Sequence, residues 1–195
     1  MSHHPLLNEH VLNLLPSKID GLVILDVGCG YGEWGFFIRT RKVGLPYMIG
    51  VDIWRPHLER LCPLGIYEGL IQVKVPILPF KEKSVDVSLA CEILEHLPKH
   101  DGYLLLNELE RVSRSLIIVS SPMGWPQEEI YGNPYESHIS EWKPEEFENL
   151  GYKVKVVDAV ALPRTLKLVD RLRRAFFRLP VPRLIIAHKT LNILG

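Results

Sequence analysis

The sequence contains no apolar run approaching the roughly 18 residues needed to cross a bilayer, and its start, MSHHPLLNEH, lacks the basic-then-apolar order of a secretory signal. These two absences point to a soluble, cytoplasmic protein without a transmembrane segment. Net charge is absent as well: 23 basic and 23 acidic side chains cancel. No long-range field therefore draws the whole chain to nucleic acid or to an anionic membrane, and any such attraction has to be local. Cysteine is scarce. Cys29, Cys62 and Cys91 are widely spaced and odd in number, which suits reduced thiols better than a disulfide framework or a zinc site. Repeats and low-complexity tracts are missing too. What is present is 47% hydrophobic content in 195 residues, enough for one substantial core and read as a single domain over 1–195.

Apolar, β-rich runs alternate with amphipathic segments, the pattern of parallel strands joined by helical crossovers in an α/β fold. Seven strands are expected, near Leu22–Asp26, Tyr47–Val51, Ile71–Val75, Val85–Ala90, Leu116–Ser120, Lys153–Val157 and Leu184–His188. Helices are expected after Gly32, over HLERL, over YLLLNELERV and at the N-terminus, where NEHVLNLL forms an amphipathic helix within residues 1–20. KPEEFENLGY reads as a short helix with Pro144 in its first turn and Gly151 as its stop.

Between the first strand and its helix lies LDVGCGYGEWGF, with Gly28, Gly30 and Gly32 at alternate positions. A strand-to-helix turn this bare lets a ligand approach the main chain without a Cβ in the way. A nicotinamide dinucleotide would need its third glycine at Glu33, and that glutamate puts negative charge where a pyrophosphate sits. The acids at Asp26 and Glu33 suit instead a ligand with a positive charge and an amino group. About twenty residues after the glycines, GVDIW ends the second strand with Asp52, whose two oxygens can accept both hydrogen bonds of a ribose diol. Ile53 and Trp54 follow, beside the expected adenine plane.

Together, LDVGCGYG, GVDIW, LPFKEKSVDVSLACEILEHL and LIIVSSP resemble the class I S-adenosylmethionine-dependent methyltransferases, of the type 11 kind, strongly over residues 22–121. The resemblance implies a Rossmann-like fold: a mostly parallel seven-stranded sheet, helices on both faces, and an antiparallel last strand that RLIIAHK can supply. It implies S-adenosyl-L-methionine as cofactor, with Asp26, Gly28, Cys29, Gly30 and Gly32 around its methionine part. Asp52 would hold the ribose, Ile53 would lie at the adenine, and Cys91 and Glu92 would close over the sulfonium. Relatives often carry an aspartate four residues before LPF for the adenine amino group; here that place is Lys74.

In CEILEHLP, Glu92, Glu95 and His96 stand at i, i+3 and i+4, one face if the segment is helical. With His138 from YESHISEW they have the ligand chemistry of a site for Mg²⁺, Mn²⁺ or Fe²⁺. The spacing is similar to that of the small-RNA 3′-end 2′-O-methyltransferases, and HISEWKPEEF fits their later stretch in part. An ExxEH segment is also common in small-molecule methyltransferases, where it is not generally a metal site. The assignment taken is therefore no metal, with Glu92, His96 and His138 catalytic and either histidine a general base towards a hydroxyl.

Methyl transfer needs mainly an acceptor held in line with the methyl group and, for a hydroxyl, removal of its proton. The [DN]PP[YF] tetrapeptide common in enzymes that methylate base or amide nitrogen is replaced here by ACEI, which counts against nitrogen. Residues 121–142 are turn-rich and aromatic, and with Trp125, Tyr131, Tyr135 and His138 they read as the substrate loop. Residues 163–180 read as an inserted amphipathic helix with Arg164, Lys167, Arg171, Arg174 and Arg178 on its basic side. Such a helix suits an anionic acceptor, a membrane surface, or a second subunit against its apolar side. The reading is O-methylation of a small, sugar- or lipid-linked acceptor, with metal-assisted RNA 2′-O-methylation or a non-catalytic binding module as alternatives.

Overall fold

The computed structural model describes residues 5–130, 132–158 and 183–191. The basic helix expected over residues 163–180 and the substrate-loop Tyr131 lie outside the described residues. The elements are α1 (Pro5–Leu14), β1 (Val23–Val27), α2 (Glu33–Arg41), β2 (Tyr47–Asp52), α3 (Arg55–Leu61), β3 (Gly69–Gln72), β4 (Val85–Cys91), α4 (Lys99–Val112), β5 (Ser113–Met123), α5 (Pro144–Asn149), β6 (Lys153–Asp158) and β7 (Arg183–Thr190).

Seven strands form one sheet in the order β3-β2-β1-β4-β5-β7-β6. The first five are parallel, and β7 runs antiparallel to both β5 and β6. The central strands β1 and β4 are buried along nearly their whole length, as strands covered on both faces must be. Because successive side chains alternate faces, the sheet feeds two cores. Ile24, Met48, Val87, Leu89 and Ile118 meet Trp34 and Ile38 of α2 and Leu58 and Leu61 of α3. Leu25, Val27, Ile117, Val119 and Ile185 meet Leu105, Leu109 and Val112 of α4, spaced as one helical stripe.

Three sequence expectations are corrected. β3 stops at Gln72 rather than reaching Val75, because its partner β2 ends at Asp52, opposite Gln72, and among the described residues no strand continues beyond to pair with. The Glu92–His96 segment is not an α-helix. Glu92 adopts a left-handed conformation (φ 55°), Leu94–His96 makes a single 3₁₀ turn, and Leu97 is extended ahead of Pro98, which disfavours the helical conformation in the residue before it. Finally, β5 runs on to Met123, so residues 121–123 belong to the sheet and not to the substrate loop. Among the described residues no helix is long and apolar enough to cross a membrane.

Candidate active site

The turn from β1 into α2 is built as its glycines demand. Gly28, Gly30 and Gly32 have φ of 73°, 51° and 81°, a region L side chains rarely adopt. A Cβ on Gly28 would stand 2.8 Å from Ile93 Cδ1, so the turn and the segment after β4 touch without room for a side chain. Gly28 and Cys29 donate their N–H groups to the carbonyl of Val51, at 2.8 and 3.0 Å, and this ties the turn to the end of β2.

Asp52, the last residue of β2, completes the tie. Its Oδ2 accepts from the Gly30 N–H at 2.8 Å and its Oδ1 from the Trp54 N–H at 2.7 Å, with His57 Nδ1 3.4 Å from Oδ2. The carboxylate is buried, 8% exposed, yet lines a cavity of about 270 Å³ and keeps unused lone pairs for a ligand. This cavity opens at the carboxyl ends of β1, β2 and β4, where the strand order reverses direction. Gly28, Asp52, Ile53, Lys74, Glu92 and Ile93 form its sheet side. His96, Asn133, Tyr135 and Glu136 also line it, and Trp54 meets Tyr135 edge-on at 6.1 Å between ring centres.

The remaining expected cofactor residues sit behind these walls. Asp26 is buried beneath the turn, where its Oδ2 accepts from the Tyr67 hydroxyl at 2.6 Å. Cys29 and Cys91 are buried in the core, and burial, with the Asp26 charge second, pushes both thiols well above their ordinary range. Both remain protonated and unreactive at neutral pH. Gly30 and Gly32 shape the turn rather than the cavity surface; a Cβ on Gly32 would stand 2.5 Å from Leu61 Cδ2. Tyr67, His57, Asn133 and Glu136 carried no signal in the sequence. Tyr67 owes its place to a contact with Asp26, 41 residues away in the chain.

At the far end of the cavity, Glu92, Glu95, His96 and His138 surround a smaller space of about 20 Å³. Glu92 Oε1 accepts from the Ser120 hydroxyl at 2.7 Å, and Glu95 Oε2 lies 3.2 Å from the Ser121 hydroxyl, so two neighbouring serines of β5 anchor the two acids. Burial, and then the charge of Glu92, holds the Glu95 carboxyl well above the usual carboxylate range. The main-chain oxygen of Glu95 accepts from the N–H groups of Ile139 and Ser140, fastening the loop that carries His138. His96 Nδ1 lies 3.2 Å from the Ser137 carbonyl and His138 Nδ1 2.5 Å from the Trp125 carbonyl. A carbonyl only accepts, so both rings carry a proton on Nδ1. Burial, and then His138, pushes the His96 imidazole down to about 4, which leaves it neutral at pH 7 with Nε2 as an acceptor. The two rings stand 4.9 Å apart at 71°. The four residues are thus brought together, by a tight turn and a loop contact instead of the helix face expected from their spacing.

Comparison with known proteins agrees with this geometry. Residues 25–116 match the family described as a methyltransferase domain. The protein MJ0638 of Methanocaldococcus jannaschii is 28% identical over 166 residues, covering 80% of this chain and 68% of that one. The tRNA (carboxymethyluridine(34)-5-O)-methyltransferase of Arabidopsis thaliana is 29% identical over 139 residues, covering 69% of this chain but only 30% of that protein. In fold, the chain is similar to the crystal structure of a SAM-dependent methyltransferase from Archaeoglobus fulgidus, with a TM-score of 0.61, 20% identity, and 94% and 93% of the two chains covered. The cavity fits the methyl donor of such enzymes: a glycine main chain bare at Gly28, a buried carboxylate for a diol and an acid, Glu92, in the wall are what a nucleoside sulfonium needs. Residues 25–116 match a methyltransferase domain, and the seven-stranded sheet with the cavity at its switch point is the Rossmann-like fold that the chain shares with solved S-adenosylmethionine-dependent methyltransferases.

Proposed function

We propose that the protein methylates an oxygen of a small, sugar- or lipid-linked acceptor. The observation that carries this reading is the acid and imidazole cluster at the far end of the cavity, where two rings have Nδ1 committed to main-chain carbonyls and Glu92 stands beside them. Such groups suit an acceptor whose proton must leave, as a hydroxyl's must and an unprotonated amine's need not at the moment of attack. The absence of [DN]PP[YF] after β4 supports the same choice.

Bound S-adenosylmethionine supplies an electrophilic methyl group on a sulfonium. The chain does the rest. Gly28 lets the donor lie on the main chain, Asp52 holds the ribose diol, and Ile53 flanks the adenine. His96 and His138 fix the acceptor oxygen, and Glu92, which lines both spaces and is oriented by Ser120, receives the hydroxyl proton on its carboxylate. Tyr135, in the cavity wall and braced by Trp54, stands where it can shield the bound pair from water.

A nucleoside oxygen within RNA is the second reading, favoured by the similarity to the Arabidopsis tRNA (carboxymethyluridine(34)-5-O)-methyltransferase. Incubation with labelled S-adenosylmethionine and matched hydroxyl, carboxylate and amine acceptors, including total tRNA, decides between them. Label is expected on oxygen. Glu92→Gln is expected to bind donor normally and to lower kcat by about 100-fold, the usual share of a general base. Label found on nitrogen, or an unchanged rate in Glu92→Gln, would overturn the proposal.

A further inference from the structure

We infer that Glu95, His96 and His138 bind one divalent first-row transition cation beside the methyl-donor cavity. Each of the three offers a ligand atom, and these atoms all lie within 4.8 Å of one another. They come from two segments, the 3₁₀ turn after β4 and the loop after β5, joined by hydrogen bonds from Ile139 and Ser140 to the Glu95 carbonyl.

The orientation of the rings is the second, independent observation. Metal-binding histidines generally spend one ring nitrogen on a carbonyl or carboxylate, which fixes the tautomer and aims the other nitrogen's lone pair. Both histidines do so here, His96 towards Ser137 and His138 towards Trp125. His96 Nε2 then faces Glu95 Oε1 at 3.9 Å, too far for a hydrogen bond and close to what two ligands of one ion require. The carboxyl itself is 2% exposed, and among the described residues no lysine or arginine stands within ion-pairing distance of it.

Size and charge agree. The space of about 20 Å³ enclosed with Glu92 holds one ion or one water, not a substrate. Glu92 adds an acid to its wall, and Glu136, in the neighbouring cavity wall, has a buried carboxylate oxygen, Oε2, without a hydrogen-bond partner. Metal–ligand bonds of about 2.0–2.2 Å require the ligand atoms to close by about 1 Å, which the loop position of His138 allows. Two imidazoles and one carboxylate select Mn²⁺, Fe²⁺ or Zn²⁺ over Mg²⁺ and Ca²⁺, which favour all-oxygen sites. Resting on the oxygen-acceptor reading, the site also narrows the substrate: with the ion bound, the two histidines hold the acceptor oxygen through the ion rather than directly, and because His96 lines both spaces an acceptor with two adjacent oxygens could chelate the ion there while one of them meets the methyl group.

The test uses the full chain, freed of metal by a chelator and dialysis, titrated with Mn²⁺ followed by electron paramagnetic resonance and with Zn²⁺ by calorimetry, without donor or acceptor. One equivalent of each should bind, with millimolar Mg²⁺ failing to displace it. His138→Ala, on a half-buried loop, and Glu95→Gln should each weaken binding at least about tenfold, while His100→Ala, exposed on α4, should leave it unchanged. Circular dichroism and S-adenosylhomocysteine binding report whether each variant is folded. Failure of the wild type to bind either ion, or equal binding by wild type and a folded His138→Ala, overturns the metal site. Methyl transfer to oxygen with no bound ion would sink this inference and leave the oxygen reading standing. A bound ion together with methyl transfer to nitrogen would do the reverse.

Discussion

The two ends of the cavity are built differently. At the donor end, the turn after β1 and Asp52 after β2 are adjacent strand termini, locked by main-chain hydrogen bonds from Gly28 and Cys29 to Val51 and from Gly30 to the Asp52 side chain. The acceptor end is assembled from residues more than forty positions apart, with side chains held mostly by single contacts to Ser120, Ser137 and Trp125. The proposed cofactor site suits the first kind of construction, since the same nucleoside would be gripped there whatever the acceptor. Loops carry the second kind, because loops change without disturbing the sheet.

The comparison predicts where a single substitution does most harm. Asp52→Ala should have the largest effect, lowering affinity for S-adenosylhomocysteine by about 100-fold or more, as two hydrogen bonds to a charged group of about 1.5–3 kcal/mol each are lost. Calorimetry decides it, and wild-type affinity in that variant would remove Asp52 from the ribose site. Gly28→Ala comes next. A Cβ 2.8 Å from Ile93 Cδ1, at a φ of 73°, should cost about 1–3 kcal/mol and lower both the melting temperature and donor affinity. If only stability falls, the turn shapes the fold without touching the donor.

Gly102→Ala makes the same kind of clash away from the cavity, since its Cβ would stand 2.3 Å from Trp142 Cζ2. It should cost about 1–3 kcal/mol in thermal unfolding with donor affinity unchanged. Tyr67→Phe should lose about 1–3 kcal/mol by stripping the buried Asp26 carboxylate of a donor, again with little change in donor binding; a large loss of binding would return Asp26 to the cavity wall.

The smallest effect concerns pH. The hydrogen bond from Arg111 holds the Glu108 carboxyl below its ordinary value, and Glu108 in turn accepts from Leu78 N–H at 3.0 Å. A carboxyl depressed in the folded state contributes stability that is present above its unfolded value near 4.5 and is lost as pH falls through the folded value. Glu108→Gln should therefore flatten the acid limb of the stability curve while leaving the acceptor end untouched; an identical acid limb would show that the pair contributes nothing.

Much of the donor end could be read from the chain because its signals are local. A strand, three glycines at alternate positions and an acid at the next strand's end fall within about thirty residues, and their placement follows from local backbone geometry. The sheet order was legible only through family resemblance. The antiparallel insertion of β7 between β5 and β6 has no local mark in RLIIAHK, whose apolar run would suit a parallel strand equally well.

For the end proposed for the acceptor, the spacing of Glu92, Glu95 and His96 suggests a shared helix face, and these residues come together for another reason. Pro98 and the left-handed turn at Glu92 preclude the helix, and the 3₁₀ turn with its bonds to Ile139 and Ser140 brings His138 alongside. By itself the sequence determined what depends on neighbouring residues: the alternation of strands and helices, the bare turn, and Asp52 at the end of its strand. Only the tertiary structure decided that Glu136, Tyr67 and His138 would meet residues far from them in the chain. Hydrogen bonds and packing across such separations depend on where two surfaces finally touch, and no periodicity along the chain records that.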